Sequence, residues 1–205
     1  MSKALTSFEK LIVWVDQLAD IHTKIGTKPG RRHNQEALYR AGVVMTIAAW
    51  ESYVEDLLNE AFTAISPPPG AAPGAQSTWK LAQISALSAT KKFNTPNAQN
   101  VTELFQQHLG IDISSCWTVT ASKKTYTSAD SKSRLNNWLD IRHKIAHGGK
   151  LPDNLAWIKN PTGTPRLTLA LMNDARHFTH ELAKATDAYA SSQLTSLYGL
   201  PGAPW

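Results

Sequence analysis

The residues best suited to chemistry lie in one short run, Asp140-Ile141-Arg142-His143-Lys144-Ile145-Ala146-His147-Gly148-Gly149. On a helix turning about 100° per residue, Leu135, Trp138, Leu139, Arg142, Ile145 and Ala146 share one broad arc. A guanidinium on an apolar arc costs on the order of several kcal/mol to desolvate unless it is paired or opens onto a cavity. Something anionic should therefore meet Arg142. Two readings are open: a buried ion pair, with Glu51, Glu55 or Asp56 of another helix, or a phosphate group.

His147 follows Arg142 by five positions, which sets the two well apart around an ideal helix. It is also the last residue before two glycines, where helices commonly end in left-handed backbone. There the imidazole can swing out of register while the long arginine spans the remaining gap, so the pair can flank one anion. A competing arrangement is Asp140, His143 and His147, whose spacing puts them on one face and resembles that of metal ligands. No further histidine or carboxylate motif at ligand spacing appears elsewhere, and Lys144 crowds the same face. A solvated polar face is the commoner origin of such a trio, so no metal and no cofactor is assigned.

The elements that must position these groups read as helices. Leu5, Phe8, Ile12, Val15, Leu18 and Ala19 predict a first helix over 3–25. A second is expected over 34–65, capped by Asn34, with a stripe of Leu38, Ala41, Met45, Ala48, Leu57, Leu58 and Phe62. Residues 66–76, rich in Pro, Ala and Gly, read as an exposed loop. Helices are then predicted over 78–92 and 97–109, the latter closed by Gly110, followed by a polar, irregular stretch over 111–130 anchored by Cys116 and Trp117. A fifth helix over 131–147 carries the Arg/His run. A β-hairpin is expected near 155–171, a last helix from Asn173 or Asp174 to about 197, and a loose tail from Gly199. The expected fold is all-α, an antiparallel helical bundle with a small hairpin, in a single domain over 1–205.

Composition narrows the function classes. With 205 residues, 42% hydrophobic and 18% charged, the chain can bury a core, and disordered, collagenous and coiled-coil classes are disfavoured. The single cysteine, Cys116, excludes an internal disulfide and any cysteine-rich metal site, as befits a reducing cytosol. The first fifteen residues lack the layout of a signal peptide, and the longest weakly polar run is about half of what a bilayer needs. A cytoplasmic protein without membrane attachment is expected. The net charge of +5, with basic groups at Lys28/Arg31/Arg32, Lys91/Lys92, Lys123/Lys124 and Lys132/Arg134, favours polyanions, although short basic doublets more often mark solvated surface.

The run Arg142-His143-Lys144-Ile145-Ala146-His147 resembles the signature of the HEPN superfamily of ribonucleases: an arginine, a polar residue, three to five residues, then a histidine. The second helix, with Ala37-Leu38-Tyr39-Arg40-Ala41-Gly42-Val43-Val44 and Ala48-Ala49-Trp50-Glu51-Ser52-Tyr53-Val54-Glu55-Asp56-Leu57, is similar to the RiboL-PSP-HEPN branch. The resemblance implies an all-α domain that forms a homodimer with its active site at the interface, and a metal-independent endoribonuclease acting on RNA. It implies Arg142 and His147 as catalytic residues, with His143 in the polar position to bond the phosphate or orient the motif; Lys144 and Glu51 are further candidates for binding substrate, Glu51 as a partner that supports Arg142. A toxin or phage-defence role follows from the same likeness, with a non-catalytic RNA- or protein-binding module as the alternative. One toxin subgroup carries a tyrosine two residues beyond the histidine, where it is nucleotidylated; here that position is Gly149, and no antitoxin or other regulator can be named.

Overall fold

The computed structural model describes residues 1–25, 35–91 and 95–205. Six helices are described: α1 (Lys3–Ile25), α2 (Glu36–Ala64), α3 (Pro73–Lys91), α4 (Ala98–Leu109), α5 (Ser128–Ala146) and α6 (Leu169–Tyr198). Strands β1 (Val119–Ala121) and β2 (Lys124–Tyr126) form one small antiparallel sheet between α4 and α5. The all-α expectation holds.

Three helices make the centre. The N-terminus of α1 donates from Lys3 and Ala4 to the Glu60 carboxylate near the end of α2, while His22 meets Tyr39 near the start of α2, so the two run antiparallel. Tyr53 donates to the Ala183 carbonyl and Gly42 lies against Met172, which sets α6 parallel to α2. A Cβ at Gly42 would fall 2.2 Å from the Met172 sulfur, so the missing side chain is what lets these helices approach. Asp16–Arg176, Glu9–His180 and Ser2–Asp187 contacts then zip α1 antiparallel to α6. Ser2 is wholly buried, and its amide and hydroxyl satisfy an Asp187 carboxylate that burial pushes above the usual carboxylate range.

The core stripe of α1 is Leu5, Phe8, Ile12 and Val15, as the spacing predicts. On α2 the expected stripe is rotated. Leu57, Leu58 and Phe62 are buried, but upstream the core takes Tyr39, Val43, Ile47, Trp50 and Val54, leaving Leu38 and Met45 half-buried and Ala41 and Ala48 exposed. The first half of this helix is apolar nearly all round, so periodicity alone does not select the inward side.

Other boundaries shift for identifiable reasons. Asn34, expected as a cap, lies outside the described residues, as do Lys28, Arg31, Arg32 and Lys92; the residue before α2 is Gln35, without a side-chain cap. Helix α3 starts at Pro73, inside the expected loop, because proline is well suited to a first helical position. Helix α4 closes on left-handed Gly110 as expected, and at its expected start Asn97 caps it by accepting from the Asn100 amide. Helix α5 starts three residues early on a capping box of Thr127 and Asp130, and α6 starts at Leu169 behind Thr168.

The hairpin lies elsewhere than expected. Residues 111–130 hold a 3₁₀ turn, Ile113–Cys116, and then the β1–β2 pair, joined by Ser122 and Lys123, both at positive φ. Two-residue hairpin turns of this kind usually advertise themselves with Asn-Gly, and Ser-Lys does not. Residues 155–171 instead contain a 3₁₀ turn, Ala156–Ile158, and one isolated bridge, Lys159 to Pro165. Pro161 and Pro165 remove ladder donors, and the Asn160 side chain captures the Thr162 and Thr164 amides. The tail is also docked: Trp205 is half-buried and its indole N–H donates to the Asp187 carbonyl.

Trp117 is fully buried and bonds to Thr186, but Cys116 is only half-buried, its thiol donating to the Ile113 carbonyl. Burial pushes that thiol up to about 12 from 9.0, which lowers the thiolate fraction at neutral pH by about a thousandfold. Alkylation of Cys116 at pH 8 is therefore expected to be slow in native protein and fast in guanidinium. Equal rates by mass spectrometry would contradict the burial.

Candidate active site at the end of helix α5

Helix α5 ends in a Schellman motif. Gly148 takes left-handed angles, φ 66°; its amide bonds to the Ile145 carbonyl, and the Gly149 amide to the Lys144 carbonyl at 2.8 Å. His147 is the capping residue, held by its own amide to the His143 carbonyl. The two glycines thus fix the backbone beneath His147. Both imidazoles are exposed, with ring centres 4.3 Å apart. The structure therefore brings His147 to His143, and Arg142 to a different partner.

That partner is Glu51 of α2. The Arg142 Nη2 to Glu51 Oε2 distance is 3.6 Å, an ion pair too long for a hydrogen bond, with side chains 30% and 22% exposed. Burial lifts the Glu51 carboxyl above the usual range despite the opposing pull of Arg142. Glu55 is raised as well, by burial first and then by Glu51 and Asp56. The carboxylate expected for the arginine is present, but it leaves the guanidinium half-exposed. Arg142 Nε is buried without a hydrogen-bond partner, and so is Trp138 Nε1, one turn earlier on the same arc. The Nε atoms of the ion-paired Arg134 and Arg176 are open in the same way, so what sets Arg142 apart is its long ion pair and its exposure.

Lys144 is exposed beside the histidines. Asp140 is exposed too, and among the described residues no three His, Cys, Asp or Glu side chains gather as a metal-binding group. Trp50 and Trp138 are core residues, fully buried. Trp157 is half-buried, set edge-on to Trp138 at 4.8 Å.

Arg134 is the residue the sequence reading placed wrongly, among solvated basic doublets. Its guanidinium lies 3.4 Å from the centre of the Trp157 ring and pairs with Asp174 of α6, with a side chain only 13% exposed. It clamps the segment after α5 against the helix that carries the motif. The signal was available in the Trp138 spacing four residues on, which places a second long side chain beside the same arc.

The sequence pattern of the RiboL-PSP-HEPN family matches residues 11–190 of the 205. The chain belongs to the RiboL-PSP-HEPN family. Comparison with curated proteins and with solved structures finds no match. Membership of this HEPN family points to a nuclease or RNA-related function, and it spans every element that builds the α5 site. No helix among the described residues is long and apolar enough to cross a membrane.

Proposed function

We propose that the chain is a metal-independent endoribonuclease that cleaves RNA by attack of the ribose 2′-hydroxyl on the adjacent phosphate, leaving a 2′,3′-cyclic phosphate and a 5′-hydroxyl. The observation that carries this reading is the half-exposed Arg142, held only by a 3.6 Å ion pair, on the helix that ends in His147. A planar guanidinium suits phosphate oxygens, and charge stabilisation of the phosphorane is the larger part of such catalysis. Glu51 competes with the phosphate for that charge. Imidazole titrates near neutral pH and serves as base or acid.

Cleavage needs both a base for the 2′-hydroxyl and an acid for the leaving oxygen. A homodimer placing two copies of His147 in one cleft supplies both, with His143 and Lys144 contacting phosphate. Ala48, one turn before Glu51, and Ala146, one turn after Arg142, are both exposed, and small side chains of this kind leave room for a second copy to approach these two helices. A cytoplasmic toxin or defence role follows from the family likeness, with its regulator unnamed.

Incubating end-labelled RNA with purified protein in EDTA tests the reading. Products ending in cyclic phosphate and 5′-hydroxyl are expected. Salt-sensitive RNA binding without any cleavage would instead identify a binding module, and cleavage lost in EDTA would identify a metal nuclease.

A further inference from the structure

The structure places two imidazoles in contact at the C-terminal end of one helix, and this pairing supports a second kind of ligand. We propose that His143 and His147 together bind a divalent transition ion of the nickel, copper and zinc class, and that the bound ion silences the nuclease. The silencing rests on the nuclease reading above; the binding does not.

Histidines four residues apart on one helical face are a chelating arrangement, because consecutive turns stack their rings. Two imidazoles ligating one ion at about 2.0–2.1 Å hold their ring centres roughly 4.5 Å apart for a right-angled pair and roughly 5.2 Å for a tetrahedral one. The observed 4.3 Å between ring centres is close to the separation that a right-angled pair needs, and both rings are exposed, so small turns bring one nitrogen of each toward a shared ion. The helix terminus adds partial negative charge from its last carbonyls, which favours a cation there. Exposed Asp140, one turn before His143, offsets the charge of Lys144. Two protein ligands leave the remaining positions to water, so the ion is exchangeable and is no part of the catalytic machinery.

Occupancy blocks the reaction for a simple reason. The imidazole lone pair that accepts a proton is the same one that binds a metal, so His147 cannot do both. The ion also props His143 and His147 together, closing the side of the helix end where a phosphate must enter.

The test is titration calorimetry of the full chain with nickel chloride and zinc chloride in a non-chelating buffer. One ion per chain is expected, with affinity falling at least tenfold in His143→Ala and in His147→Ala and unchanged in the His177→Ala/His180→Ala double variant. Absent binding, or equal binding by His143→Ala, overturns the site. Zinc added to RNA cleavage reactions is expected to stop them and EDTA to restore them; cleavage untouched at saturating zinc overturns the silencing. A wild-type protein that never cleaves RNA defeats the nuclease reading alone, because calorimetry still decides the site.

Discussion

His147→Ala is expected to lower RNA cleavage by about 10²–10⁴-fold, the usual contribution of a positioned proton-transfer group. The effect should be on chemistry alone. His147 is exposed and the Schellman motif beneath it is made by backbone groups and Gly148, so alanine at this site should change stability by no more than about 0.5 kcal/mol and leave the proposed dimer intact. Arg142→Ala is expected to cost about 10²–10³-fold through lost charge stabilisation, and Arg142→Lys should not rescue it, because an ammonium lacks the planar fork. Removing the guanidinium also leaves Glu51 partly buried without its counter-charge, so the carboxyl should move further up from its already raised position. Labelled-RNA gels and size-exclusion chromatography on the same preparations check both halves. Full cleavage by highly purified His147→Ala protein would end the nuclease reading.

Trp50→Ala carries the largest expected effect on stability, a loss of about 3–5 kcal/mol. Trp50 is fully buried on α2, donates its indole N–H to the Pro96 carbonyl at 3.1 Å, and packs edge-on against Trp117 at 6.1 Å, which in turn bonds to Thr186 of α6. Its removal empties a large volume, orphans an acceptor and loosens the strut between α2 and α6. A domain has only about 5–15 kcal/mol in reserve, so the urea midpoint should fall sharply. Trp157→Ala, at a half-buried site, should cost clearly less. Equal midpoints for the two variants would contradict the packing described.

What the sequence revealed and what it hid follow from the range of the forces involved. The site helix, the α4 start at Asn97, the Gly110 cap and the α1 stripe were legible because each is written within a few residues as spacing or capping chemistry. The inward face of α2 was not, because a helix apolar on several sides is oriented by its neighbours. The β1–β2 hairpin was not legible because its exposed turn, Ser122-Lys123, takes positive φ without the glycine or asparagine that usually signals it. At the site, the Glu51–Arg142 pairing was among the open readings and the shared face of His143 and His147 is written in their spacing, whereas the Arg134 clamp needed three-dimensional placement. Whether two chains meet at Arg142 is a property of two surfaces together, and one chain's pattern cannot encode it locally.

The most direct measurement is made on mixed dimers, one subunit wild-type and the other Arg142→Ala/His147→Ala, purified through two different tags. If one scissile linkage is held by groups from both subunits, the mixed dimer should cleave RNA no faster than the doubly substituted homodimer. Half of the wild-type rate would show that each chain works alone and would contradict the shared site.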